Sequence, residues 1–166
     1  YTQDYTTNSL VDSDLIGSAT IKAKTNGVIC GIPLATEIFH YVDPNLEVLS
    51  LIEDGEIVDK NTQIISIKGK ISSILISERT VLNFLQRLSG IATETNKYVS
   101  EISGIECKII DTRKTTPGLR QLEKYAVRTG GASNHRMNLS DGILIKDNHI
   151  EALKAKRRSE HFFHGA

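Results

Sequence analysis

The hydrophobic period of this chain changes near residue 77, and that change constrains the fold more than any other feature. Before it, apolar residues come in short runs broken by turn-forming pairs: "ATIKAKTNGVICGI" is split at Asn26-Gly27, and "LEVLSLI" ends at Asp54-Gly55. Asn-Gly favours the positive φ angles of tight hairpin turns, so a small sheet is predicted. Between these runs Pro33 can occupy the first turn of a helix whose apolar face includes Ile38, Phe39 and Val42. After "TQIISIKGKISSILI", Val81, Leu82, Leu85 and Leu88 fall on one face of a helix that begins near Ser77 or Glu78. Helix continues or restarts through "TETNKYVSEIS" and stops at Gly104.

From there the order becomes strand, loop, helix, loop, strand. "CKIID" reads as a short strand, and the loop "DTRKTTPGLR" follows it. Leu119, Leu122 and Ala126 then share a helical stripe in "LRQLEKYAVRT", Gly130-Gly131 ends it, and "GILIKDNH" reads as another buried strand with a polar exit. Such alternation argues for parallel strands with helical crossovers, an α/β protein. A boundary near residues 100–105 divides the chain into an α/β segment 1–103 that includes the linking helix and a second segment 104–166.

With 20 basic and 20 acidic residues among 166, the net charge is zero. The overall field therefore gives no reason to expect a nucleic-acid partner, and any attraction for anions must be local. No apolar run approaches the roughly 18 residues that a membrane span needs, and no basic-then-apolar leader is present, so a cytoplasmic protein is expected. Cys30 and Cys107 are far apart without metal-like spacing and are expected to be buried free thiols.

The local attraction has candidates. Arg113 and Lys114 follow the first expected strand, His135 and Arg136 follow the glycine pair, and Lys146, Asp147 and His149 follow the last strand. In parallel α/β proteins the ends of strands converge on one rim, where ligands bind. Arginine grips carboxylate or phosphate through two parallel hydrogen bonds and lysine adds a compact charge, so the set suits a small ligand with several anionic groups. Taken singly, each is a solvated loop charge.

Taken together, the segments "DYTT", "ERTVLNFLQRLSGIATET", "DTRKTTPGLRQLEKYAV" and "GGASNHRMNLSDGILIKDNHI" resemble the quinolinate phosphoribosyltransferase family, the carboxylating nicotinate-nucleotide pyrophosphorylases. The match runs in order from about Asp4 to Ile150. It implies an N-terminal α/β sandwich followed by the first part of an α/β barrel, working as a homodimer or higher assembly. It also implies a reaction: quinolinate and phosphoribosyl pyrophosphate, with Mg2+, give nicotinate mononucleotide, pyrophosphate and carbon dioxide in de novo NAD biosynthesis. By resemblance, Arg87, Thr112, Arg113, Lys114, His135, Arg136 and Lys146 bind the substrates, with Lys114 and Lys146 also catalytic and Arg87 reaching a neighbouring subunit's site. Asp147 and His149 are left as supporting groups, since helix capping explains Asp147 or Asn148 almost as well.

Two departures from the family accompany the resemblance. Ala132 stands in "GGAS" where a third glycine is common, so a modest backbone adjustment is expected. The family's later strands, with acidic residues for ribose and metal, are not found, and the tail from about residue 151, "KAKRRSEHFFHGA" with Phe162 and Phe163, is atypical. No residue is assigned as a metal ligand. A truncated or frame-shifted reading frame is the expectation. Two alternatives stand: a related transferase acting on another aromatic acid, or a catalytically incomplete fragment needing a partner chain.

Overall fold

The computed structural model describes residues 4–163, with side chains described to residue 156, so Phe162 and Phe163 lie outside the described side chains. Two compact units are formed, Tyr1–His135 and Arg136–Ala166. The first contains α1 (Tyr5–Leu10), β1 (Ile16–Lys22), β2 (Gly27–Val28), α2 (Ile32–Val42), β3 (Glu47–Ser50), β4 (Ile57–Val58), β5 (Gln63–Lys70), α3 (Ile71–Glu101) and α4 (Arg120–Thr129). The second contains α5 (Asp147–Phe163). Helix and strand are mixed, as the α/β reading requires.

Strand β5 is the centre of an antiparallel sheet ordered β1-β5-β3, with Ala19 opposite Ile67 and Val48 opposite the same residue on the other side. Ile65 and Ile67 alternate onto the face where α2 and α3 pack, and meet Phe39, Ile74, Val81 and Leu85 in the main core. Of the expected apolar face of α2, Phe39 is buried and Ile38 packs against this core, whereas Val42 lies at its exposed margin.

The segments flanking Asn26-Gly27 do not pair with one another. β1 takes a seven-residue ladder on β5, while β2 pairs with β4. Asn26 instead ties its turn to a distant loop, its Nδ2 donating to Asp59 Oδ1 at 3.0 Å and its Oδ1 accepting from Lys60 N at 2.9 Å. Gly27 serves a close approach, because a Cβ there would lie 2.6 Å from Thr93 Oγ1. The approach is used: Thr93 and Ser89 hydroxyls accept from the backbone N–H groups of Val28 and Cys30 at 2.9 and 3.0 Å.

Helix α3 runs 31 residues and begins at Ile71, earlier than its apolar pattern announced. The earlier turn contains buried Ile74 and buried Ser77. Ser77 satisfies its hydroxyl on the helix's own Ser73 and Ile74 carbonyls at 2.8 and 3.0 Å, so a polar residue sits in the buried stripe without penalty and interrupts the apolar period. At its other end α3 shares a second core cluster with α4, in which Leu88, Ala92 and Ala126 are buried with Val28 and Cys30, and Leu122 packs against them.

The two expected parallel strands do not form as ladders among the described residues. Cys107–Ile110 contributes an isolated parallel bridge, Ile110 to Ser133, and residues 143–146 carry no strand pairing. A strand gains its stability from backbone partners and a covered face, and Ile143 is 94% exposed. Cys107 is also exposed, unlike Cys30, and both thiols are free.

Candidate functional site

The loop that follows Ile110 is folded by its own polar groups. Lys114 N donates to Thr112 Oγ1 at 3.1 Å, closing a short side-chain turn, and Arg120 Nε donates to Thr115 Oγ1 at 3.1 Å from the start of α4. Between this loop, α3 and α4 lies a cavity of about 370 Å³, whose lining includes Arg87, Asp111, Thr112, Lys114, Glu123 and Lys124. Cations thus come to it from a helix surface, a loop and a buried helix face.

Arg87 projects from α3 and donates to Thr116 Oγ1 at 2.5 Å and to the Glu123 carboxylate. Glu123 also accepts from Thr116 N at 3.1 Å. Burial would raise the Glu123 carboxyl, but the hydrogen bonds from Arg87 and Thr116 and the Arg87 charge outweigh it and hold it below its ordinary value. Behind this layer Lys124, wholly buried, donates to Asp111 Oδ1 at 2.5 Å and to the His135 carbonyl at 3.0 Å. Asp111 further accepts from His135 N and Asn134 Nδ2, each at 2.7 Å.

Arg87, Thr112 and Lys114 are therefore brought together. Arg113 and His135 belong to the same unit but do not line the cavity. Arg113 is half-buried, with its Nε enclosed and without a hydrogen-bond partner, while His135 is held through its main chain. Arg136 and Lys146 lie in the second unit. Arg136 Nη1 donates to the Gly142 carbonyl at 3.5 Å, and Lys146, exposed just before α5, has its N–H bound to His149 Nδ1 at 2.9 Å. Asp147 is the first residue of α5 and accepts from the adjacent Asn148 N at 3.0 Å. Ala132 keeps an ordinary negative φ and its N–H bonds to the Val127 carbonyl at 3.2 Å.

Asp111, Glu123 and Lys124 are site residues that the sequence reading passed over. Lys124 and Glu123 sit on a helix where charges are expected to face solvent, and only the fold makes Lys124 the complement of Asp111. Both carboxylates that line the cavity are spent on cations and N–H groups, so they do not fit a resident Mg2+. Among the described residues no group of three or more His, Cys, Asp or Glu could hold a metal ion.

Fold and site together define an α/β protein with a cavity lined by three cations and two carboxylates, Lys114 being the cation among them with no carboxylate partner in the lining. Residues 4–89 match the quinolinate phosphoribosyl transferase N-terminal domain and residues 91–161 the C-terminal domain of the same enzyme, so the chain belongs to the quinolinate phosphoribosyltransferase family. A probable carboxylating nicotinate-nucleotide pyrophosphorylase of Synechocystis is 49% identical over 136 residues, which are 82% of this chain and 46% of that protein. Its Bacillus subtilis counterpart is 45% identical over 156 residues, 92% of this chain and 54% of the relative. The crystal structure of NadC from Streptococcus pyogenes superposes with a TM-score of 0.88 at 39% identity, covering 99% of this chain and 60% of that one. The chain spans about half the length of these curated relatives.

Proposed function

We propose that this chain binds quinolinate and phosphoribosyl pyrophosphate and serves the pentosyltransferase reaction that yields nicotinate mononucleotide, pyrophosphate and carbon dioxide for NAD synthesis. The observation that carries the reading is the cavity itself, where Arg87 and Lys114 meet beside Thr112 in a chain of this family. Quinolinate has two carboxylates and its co-substrate several phosphate groups, so the two repel, and a fixed set of cations offsets that repulsion while holding them for in-line attack. As pyrophosphate leaves, positive charge grows on the ribose and negative charge on the leaving group. The pyridine nitrogen attacks the anomeric carbon as the bond to pyrophosphate breaks, and the positively charged ring of the adduct then favours loss of the adjacent carboxyl as carbon dioxide, the electron pair left on that ring carbon taking up a proton from water. Lys114 stabilises charge on the carboxylates and leaving group and no side-chain nucleophile is needed; for Arg113, His135, Arg136 and Lys146, none of which lines the cavity, a substrate role rests on the family resemblance alone. Mg2+ would have to be supplied with the co-substrate, since Asp111 and Glu123 are committed to other partners, and would add charge stabilisation for the phosphate groups. Assembly as a homodimer or higher, with Arg87 serving a neighbouring site, and a cytoplasmic location belong to the same proposal.

A second reading is favoured by the committed carboxylates. Asp111 and Glu123 leave the cavity no free acid to hold ribose or metal, so the chain by itself could bind substrates without turning them over. Binding and turnover measured on the same chain separate these readings. Calorimetry should show pyridine-2,3-dicarboxylate binding more tightly than nicotinate, and Lys114→Ala should weaken it about tenfold or more, a charge-assisted contact being worth about 1.5–3 kcal/mol. Nicotinate mononucleotide formation by chain free of host enzyme supports the first reading, and binding without turnover the second. Equal affinity for the two acids, or an unchanged Lys114→Ala variant, would overturn the assignment of the cavity.

A further inference from the structure

We propose that Asp111 and Lys124 are positioning residues, a buried ion pair that fixes the Thr112–Lys114 loop relative to the Ser133–His135 segment and so sets where the cations of the anion site stand. The inference rests on the quinolinate reading and extends it to residues that need not touch substrate. Side chains of Lys124 and Asp111 are 1% and 8% exposed, and removing two charges from water is expensive unless every remaining lone pair and proton is well used. Here they are used. Asp111 Oδ1 accepts from Lys124 Nζ and His135 N, and Oδ2 accepts from Asn134 Nδ2, while Lys124 Nζ also donates to the His135 carbonyl. Asn134 Nδ2 then closes the ring on the Lys124 carbonyl at 2.9 Å.

Stability alone does not call for this arrangement, because apolar replacements of a buried ion pair are often neutral or better. Placement does. The two segments share only a short backbone connection, Ser133 N to the Ile109 carbonyl at 3.0 Å and Asp111 N to the Ser133 carbonyl at 3.2 Å. One carboxylate therefore does what a longer ladder would do: it locks Thr112, the next residue in the chain, to His135 through contacts that leave no rotational slack. Lys114 follows, its N–H held by Thr112 Oγ1. Lys124 approaches from α4, so the helix behind the cavity and both segments share a single anchor.

The test compares the full chain with the Asp111→Asn, Lys124→Met double variant, which removes both charges but leaves an acceptor for His135 N. Dissociation constants for pyridine-2,3-dicarboxylate and amide exchange are measured well below each unfolding midpoint. We expect cooperative unfolding, about tenfold or more weaker binding, and faster exchange confined to residues 112–116 and 133–135 while Ile64–Ile67 stays protected. Lys124→Arg, which keeps the charge and adds donors, should recover part of the affinity. A folded double variant with unchanged affinity, or protection lost evenly across the unit, would overturn the proposal. Should the double variant fail to fold, Asn134→Ala, which removes one contact to Asp111, decides it: weaker binding supports the pair and unchanged binding overturns it. If wild-type chain binds no dicarboxylate, the quinolinate reading fails, and the exchange pattern alone judges whether the pair fixes the two segments.

Discussion

Asp54 joins two distant pieces of the chain through one carboxylate. It accepts from Gly31 N and Ile32 N at the start of α2, each at 2.9 Å, and from the Tyr125 hydroxyl of α4 at 2.7 Å. Burial pushes the Tyr125 phenol up from 10.0 to about 12, with the hydrogen bond to Asp54 and its charge adding to the effect, and burial raises the nearby Cys30 thiol from 9.0 to about 11. Both groups hold their protons more tightly when folded. The associated stability is therefore complete below their unfolded values and is lost as pH rises through the folded ones. The prediction is an alkaline fall in unfolding midpoint between pH 9 and about 12, of which Cys30→Ala removes the part below about 11 and Tyr125→Phe the part from 10 upward. Identical alkaline limbs in wild type and both variants would show that neither group titrates with the fold. Neither coupling could be read in the sequence, where Asp54 looks like half of a turn and Tyr125 like a helix residue. Arg87, Thr112 and Lys114, which line the cavity, could be singled out because their neighbours in sequence are distinctive, but Lys124 could not, since its burial depends on a carboxylate 13 positions away.

Helix α3 is the element on which the first unit is assembled. Its Val81 and Leu85 belong to the core under the sheet, its Leu88 and Ala92 to the cluster shared with α4, and Arg87 lies between these layers at the cavity. Moving α4 relative to α3 would change both the packing and the cavity. Gly130 marks how close the two elements come: a Cβ there would run into the Ala92 carbonyl and lie 2.7 Å from Thr95 Cβ. Backbone cannot yield as a flexible side chain can, so Gly130→Ala should displace the end of α4, lower the urea midpoint and weaken dicarboxylate binding together. Leu88→Ala leaves the backbone free of clash but opens a cavity, and is expected to cost about 2–5 kcal/mol. A Gly130→Ala chain with wild-type midpoint and affinity would contradict the close fit. The apolar period of α3 was readable from Val81 to Leu88 because Val81, Leu85 and Leu88 are buried in the two clusters, with Leu82 half-buried beside them. Its start, Ile71 to Ser77, was hidden because Ser77 interrupts the period, and the pairing of β1 was hidden because β5, its partner, lies more than 40 residues on. Turn propensity at Asn26-Gly27 is local, whereas strand pairing is decided by the longer ladder that competes for the same edge.

At the scale of the whole molecule, the two units differ in how their apolar surface is used. The first buries Phe39 and part of its isoleucines and leucines in two clusters, though Leu10, Leu49, Ile57 and Ile105 stay exposed, while the second, among the described residues, adds nothing to either cluster and leaves Leu139, Ile143, Ile145 and Leu153 at least 60% exposed, with Leu144 and Ile150 also uncovered. This is why "GILI" misled as a buried strand: its composition suits a covered β position, and the cover must come from partners that a local reading cannot supply. A contiguous exposed apolar run favours association, and a chain with zero formal charge has little long-range repulsion to oppose it. Sedimentation velocity across about a hundredfold range of concentration should therefore show the weight-average size rising with concentration. Ile143→Ser together with Ile145→Ser should reduce that rise, without lowering the unfolding midpoint of the first unit, because neither side chain belongs to its core. Raising salt should strengthen association if apolar contact drives it and weaken it if ion pairs do. An association that persists unchanged in the double variant would place the contact elsewhere on the molecule. The edge strands β1 and β3 of the sheet would then be the next surface to examine, since their outer backbone groups can template pairing with a second copy.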